Sequence, residues 1–154
     1  MKTYIVDIDG TLANLAHRLH YIQSDPKDWD AFFDACPADE PIQDVIDVVK
    51  AIAFLSYTTE DDTELCKIVY LTGRPHRVRH QTEEWLWDHA LPKGELIMRR
   101  DGDHRPDTLT KRELLDKIIA DGGVVAGVFE DRPSVCRVWR EMGLTVFQMN
   151  HEEF

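Results

Sequence analysis

The sequence predicts an α/β fold built on a doubly wound parallel sheet, and three observations carry that prediction. Short apolar runs bounded by polar turns recur at Tyr4 to Ile8, Lys67 to Leu71, Glu95 to Met98, Val124 to Phe129 and Thr145 to Met149. Runs of this length without strict alternation are the pattern of strands covered on both faces. Stretches of helical periodicity lie between them, and strand alternating with helix sets the strands parallel. The 154 residues contain no repeat, low-complexity tract or linker, so residues 1–154 are expected to form a single domain.

In chain order, the first strand is followed by a segment outside this rhythm. Residues 13–38 carry Asp25-Pro26, a helix-start pair, ahead of Trp29, Phe32 and Phe33. They are expected to form a small helical cap insertion whose aromatics fill its own core. Ile42, Val45, Ile46, Val49 and Ile52 then make one apolar stripe at helical spacing. Residues 58–64 are an acidic, solvated connection to the second strand. Val78, Trp85, Leu86 and His89 form a second, less regular stripe after it. Thr110-Lys111-Arg112-Glu113 has the form of a capping box, with Leu114, Leu115, Ile118 and Ile119 following on one face. The last helix is expected to start at Pro133, to bury Val135, Val138, Trp139 and Met142, and to stop at Gly143.

Composition narrows the function. The 18 Lys and Arg against 29 Asp and Glu give a net charge of −11, which excludes the broad basic face of a nonspecific binder of long nucleic acid. An excess of carboxylates suits a hard divalent cation, which takes oxygen ligands. Cys36, Cys66 and Cys136 form no C-x-x-C pair and no disulfide framework, so a reducing, cytoplasmic setting is expected. The amino terminus runs directly into an apolar strand with Asp7 close behind, unlike a secretory leader. No apolar run approaches the ~18 residues of a membrane span, so no membrane partner is expected.

In a doubly wound sheet, ligands sit beyond the carboxyl ends of the strands, so the residues leaving each apolar run are the ones to weigh. Asp7 and Asp9 leave the first, where ionised carboxylates need a positive partner, and a divalent cation is the simplest one. Gly10 lets the backbone turn close to a ligand. One carboxylate can then attack an electrophile while the other moves a proton. Asp131 supplies a third acid from another strand end, with Glu130 beside it, although this pair would equally serve to cap the helix at Pro133. Thr72, Gly73 and Arg74 offer a hydroxyl, a flexible backbone and a cation to a phosphoryl oxygen, or simply a turn before the next helix. Lys111 shares the helix face of Leu114, Leu115 and Ile118, whereas Lys117 falls off it, so Lys111 is the inward-pointing lysine.

Asp7-x-Asp9-Gly10-Thr11, Thr72, Lys111 and Glu130-Asp131, in this order, resemble the motifs of the haloacid dehalogenase superfamily of phosphohydrolases. The resemblance covers the whole chain and implies a Rossmann-like three-layer sandwich. A narrower likeness is to the 3′-phosphatase domain of phage-type polynucleotide kinases, carried by Leu71-Thr72-Gly73-Arg74, Thr82-x-x-Trp85, Leu96 to Arg99, Lys111 and Glu130-Asp131-Arg132-x-x-Val135-x-x-Trp139-Arg140.

This likeness implies a Mg²⁺-dependent phosphomonoesterase acting on 3′-phosphorylated DNA or RNA ends, or on nucleotides. Asp7 would form an aspartyl-phosphate, Asp9 would act as general acid and base, and Thr72 and Lys111 would hold the phosphoryl oxygens. Asp7, the Asp9 carbonyl and Asp131 would hold the metal, and Gly73, Arg74 and Arg132 would contact substrate. His17, Arg18 and His20 in the insertion, with Arg99, Arg100 and Arg105, are further basic residues that could track a strand. Glu130 departs from the Asp usual in the family, which leaves its metal role open. No G-x-x-x-x-G-K-[ST] occurs in these residues, so a kinase activity would belong to a separate kinase, with a ligase as a further candidate partner. The alternative is a nucleotidase or other small phosphate-ester phosphatase, and a catalytically silent binding module is a third reading.

Overall fold

The computed structural model describes residues 1–55 and 66–149, and the acidic connection at 58–64 lies outside the described residues. Its elements in chain order are β1 (Lys2–Val6), β2 (Ala13–Asn14), α1 (His20–Gln23), α2 (Trp29–Asp34), β3 (Glu40–Pro41), α3 (Gln43–Leu55) and β4 (Cys66–Pro75). There follow α4 (Arg79–Asp88), β5 (Gly94–Arg99), α5 (Asp107–Ala120), β6 (Val124–Glu130), α6 (Pro133–Glu141) and β7 (Val146–Gln148). Among the described residues, five strands form one sheet in the order β5-β4-β1-β6-β7, every neighbouring pair parallel.

Alternation along the central strands makes the fold three-layered. Val6, Tyr70 and Phe129 pack on one face with Ile46, Val49, Trp85 and Leu86 of α3 and α4. Their neighbours Ile5, Val69 and Val128 pack on the other with Leu115, Ile118, Val135 and Trp139 of α5 and α6. Each such side chain contributes about 1.5–3 kcal/mol of burial. The parallel sheet is thus as the residue pattern implies, and the Rossmann-like sandwich as the resemblance implies. Among the described residues, no helix is long and apolar enough to cross a membrane.

Several boundaries differ from expectation. Helix α5 starts at Asp107 behind Pro106, so Thr110 lies within its first turn and its hydroxyl donates to the Pro106 carbonyl at 3.3 Å instead of opening a capping box. An acidic side chain at that helix start complements the peptide dipoles, and Asp107 has cationic partners there. Ile119, expected on the buried face, is turned outward, one residue past Ile118 and so about 100° round the helix. Strand β4 continues through Thr72, Gly73 and Arg74 to Pro75, because β5 pairs with it as far as Pro75 opposite Arg99. Helix α2 is capped by the Asp28 side chain, which accepts from the Ala31 N–H at 2.9 Å, in place of a start at Asp25-Pro26. Helix α6 runs from Pro133 as expected, and Gly143 follows its end in the left-handed region, at φ +79°.

The insertion is bracketed by its own short antiparallel pair, with Ala13 opposite Pro41 and Asn14 opposite Glu40. Between these strands, α1 and α2 close over Leu15, Ile22 and Phe32. The chain therefore leaves and rejoins the main sheet at one place, above the carboxyl end of β1.

Candidate active site

The carboxyl ends of β1, β4 and β6 lie side by side where the strand order reverses, the place where an open α/β sheet forms a crevice. Asp7 follows β1 directly, and its N–H donates to the Phe129 carbonyl of β6 at 3.0 Å, which draws it to Glu130 and Asp131. One carboxylate oxygen from each of Asp7, Glu130 and Asp131 lies within 4.8 Å of the others. Lys111, 2% exposed and reaching in from α5, donates to Asp7 Oδ1 at 2.8 Å and to Glu130 Oε2 at 2.7 Å. Its ammonium is also 3.6 Å from Asp107 Oδ2. Burial alone would lower the lysine's pKa, but Asp7, Glu130 and Asp107 together hold it well above the usual range.

Three buried carboxylates around one ammonium leave an excess of negative charge. Burial, then the charge of Glu130, push Asp7 well above the usual carboxylate range. The same two causes push Asp131 up to about 7. Asp131 Oδ2 is buried with no hydrogen-bond partner. An orphaned acceptor among oxygen donors with surplus charge fits a hard divalent cation. Gly10 is required beside it: at φ +84°, a Cβ there would stand 2.0 Å from Asp131 Oδ2.

Asp9 belongs to a different cluster. Its Oδ1 accepts from Arg18 Nη2 at 2.6 Å and from Arg74 Nε and Nη2 at 3.0 and 2.6 Å. Asp39 closes the arrangement from the end of the insertion, accepting from Arg18 Nε at 2.7 Å and from Arg74 Nη2 at 2.8 Å. Burial raises the Asp9 carboxyl, but the two guanidiniums outweigh it and bring it down to about 2. Since both guanidiniums meet Oδ1, the other oxygen is left for the cleft that Asp9 lines. The Asp9 carboxylate stands outside the three-carboxylate cluster, in which the third acid beside Asp7 and Asp131 is Glu130, and the Asp9 carbonyl is the atom expected to serve a metal.

Two sequence-derived expectations change here. Arg74, expected to touch substrate, is 0% exposed and committed to Asp9, Asp39 and Thr82. Arg18, expected as a basic surface residue, is likewise 0% exposed, its guanidinium 4.3 Å over the Phe32 ring. Two cations this deep are stable only because two carboxylates meet them. Thr72 is buried, and its hydroxyl accepts from the Arg74 N–H at 3.2 Å.

Gly73 and Arg132 do line the cleft, which encloses about 590 Å³ above Asp7 and Asp9. A Cβ on Gly73 would meet Asp107 Oδ1 at 2.6 Å, so this glycine makes room for the carboxylate that organises the cleft wall. Asp107 accepts from Arg99 at 2.9 Å and from Arg132 at 3.5 Å. Arg105, expected to track a strand, is paired with Asp103 and Glu113 at 2.8 and 2.7 Å. Sequence reasoning missed Asp39 and Asp107. Asp107 lies one helical turn before Lys111, a signal that was available, whereas nothing local to Asp39 marks it.

A nucleophile-capable carboxylate held on a buried lysine, a second carboxylate on the adjacent turn and a three-carboxylate cluster suited to a cation, all at the switch point of this sheet, define a phosphohydrolase of the haloacid dehalogenase type. The chain belongs to a particular branch of it: residues 1–154 match the family described as the polynucleotide kinase PNKP phosphatase domain, a group of phosphoric monoester hydrolases. A protein of Autographa californica nuclear polyhedrosis virus, assigned as a bifunctional polynucleotide kinase/RNA ligase, is 30% identical over 150 residues, covering 96% of this chain and 19% of the relative. A chain of the Pnkp1/Rnl/Hen1 complex superimposes with a TM-score of 0.79 at 30% identity, covering 99% of this chain and 47% of that one. A hydrolase from Streptococcus pneumoniae TIGR4 shares the fold, with a TM-score of 0.58 at 14% identity. The chain thus spans less than half the length of the viral relative and of the matching chain of the complex.

Proposed function

We propose that the protein is a Mg²⁺-dependent polynucleotide 3′-phosphatase that works through an aspartyl-phosphate on Asp7. The observation that carries this reading is the cluster of Asp7, Glu130 and Asp131 around Lys111 at the floor of a cleft whose wall is completed by the insertion. Asp7, Glu130 and Asp131 would hold the cation, which would supply charge neutralisation for a carboxylate approaching a phosphate. Asp7 attacks phosphorus, the ester P–O bond breaks, and Asp9 gives its proton to the departing sugar oxygen. Asp9 then takes a proton from the water that cleaves the acyl phosphate, regenerating Asp7 and releasing phosphate. A phosphate dianion beside Asp9 raises its proton affinity, the direction the first half-reaction needs. Lys111 holds the oxygen of Asp7 before attack, and Arg132 and the Gly73 backbone line the approach.

The viral relative is assigned as a bifunctional polynucleotide kinase/RNA ligase, and the structurally similar chain is part of the Pnkp1/Rnl/Hen1 complex. These support action on nucleic-acid ends beside a separate kinase or ligase. Three unpaired, buried cysteines suit a reducing cytoplasm. The test is phosphate release from a 3′-phosphorylated oligonucleotide with Mg²⁺ and with EDTA, using Asp7→Asn as the blank. Metal-dependent release absent from Asp7→Asn is the expected result. Release that persists in Asp7→Asn overturns the assignment of the nucleophile, and a preference for 3′-mononucleotides overturns the polynucleotide substrate.

A further inference from the structure

The aromatic residues expected to fill the insertion's core divide into two roles. Phe32 is buried and belongs to that core, with Arg18 over its ring. Trp29, at the start of the same helix, is 43% exposed and lines the cleft that holds Asp7 and Asp9. Its indole is backed by Phe33, the rings stacked with centroids 6.0 Å apart and planes 25° from parallel. Trp29 also forms a wall of an adjoining shallower groove, with Pro26, Lys27 and His104. The two depressions meet at the indole, so a path runs from the reacting carboxylates past Trp29 to Lys27.

The helix that carries Trp29 is secured from below. Arg77, just beyond β4, donates to the Asp30 carbonyl and carboxylate, each at 3.1 Å, and also pairs with Asp34. A large, flat, half-open ring held in place at the edge of a phosphate site is otherwise wasted burial, since an indole offers on the order of 150–250 Å² of surface to cover. Every nucleobase presents a π-face that can cover it without sequence preference.

We propose that Trp29, backed by Phe33, is the stacking shelf for the base of the nucleotide bearing the terminal 3′-phosphate. The Lys27 ammonium stands over the indole, 5.8 Å from its centroid, so an incoming base would displace it toward the adjoining groove, where it would meet the preceding phosphodiester. The assignment rests on the polynucleotide reading above and adds what would separate a strand end from a small phosphate ester: the base is gripped at the rim while the phosphate enters the floor.

The experiment measures kcat/KM for the unaltered protein, Trp29→Ala and Trp29→Phe on a 3′-phosphorylated oligonucleotide and on the same oligonucleotide with an abasic terminal sugar. Trp29→Ala is expected to lower kcat/KM about tenfold on the ordinary end, chiefly through KM, with Trp29→Phe restoring most of it. On the abasic end the variants and the unaltered protein should differ by less than about twofold, because the stacking partner is already gone. Equal losses on both ends assign Trp29 to the structure of the insertion and overturn the shelf, as does no loss on either. If the unaltered protein turns over glycerol phosphate as well as the oligonucleotide, the polynucleotide reading fails and the shelf fails with it. An oligonucleotide preference that Trp29→Ala leaves intact overturns the shelf alone.

Discussion

Two guanidiniums on a single oxygen of Asp9, and an ammonium shared by Asp7 and Glu130, give neighbouring carboxylates opposite proton affinities from the same turn of chain. On the proposed mechanism Asp9→Asn removes the proton carrier with little change of shape, and turnover is expected to be lost while the urea unfolding midpoint stays close to that of the unaltered protein. Lys111→Ala leaves buried carboxylates without their cation and should abolish activity, whereas Lys117→Ala, on the solvent side of the same helix, should keep it; parallel assays settle the comparison. Gly10→Ala forces a left-handed residue and drives a methyl group into Asp131. The backbone alone costs roughly 1–2 kcal/mol, and activity is expected to fall much further than stability, read by phosphate release beside urea unfolding. Lys111 was legible because a helix repeat marks which lysine faces in. Arg18 was not: it sits between His17 and His20 in a polar segment, and its burial comes from Asp39, distant in sequence, which no local pattern connects to it.

The strands and helices that carry the site were legible where burial is periodic, as in α3 and α6. Their ends were less so, because strand pairing carried β4 past the glycine that marks a turn, and Asp107 begins α5 a turn earlier than the capping-box pattern. The insertion was legible as an interruption of rhythm, but its attachment was not. It is tied down by two kinds of contact with very different worth. Asp39→Ala would strand two buried guanidiniums and is expected to cost about 3–5 kcal/mol, seen as a lower urea midpoint. Arg77→Ala breaks pairs whose carboxylates are largely exposed, and should cost no more than about 1 kcal/mol; a larger loss would show that the insertion depends on this outer tie.

At the scale of the whole molecule, a phosphatase with net charge −11 must bring anionic substrate to an acidic floor, and the cation proposed above would reconcile them. Asp131 is pushed up to about 7 by burial and by Glu130. The folded state therefore binds this proton more tightly than the unfolded chain, so the group's contribution to stability falls as pH rises from the ordinary carboxylate range through about 7. A divalent cation needs the ionised form and relieves that loss. The gain in Tm from Mg²⁺ is accordingly expected to be larger at about pH 8 than at about pH 6, and half-maximal activity to require less Mg²⁺ at the higher pH. Calorimetry with and without the metal checks the first, and a metal titration of phosphate release the second.

The insertion leaves and returns through the adjacent ends of β2 and β3, so by geometry it is a cassette that could be exchanged without breaking a strand of the main sheet. Yet Arg18, which joins Arg74 in lowering the proton affinity of Asp9, and Asp39, which holds both guanidiniums in place, are carried on that cassette. A graft chosen only for the substrate it admits would arrive without the groups that tune the acid beneath it. On the mechanism proposed above, substrate range and proton transfer would be inherited together, and a transplant would succeed only if the donor segment brought its own arginine and its own carboxylate.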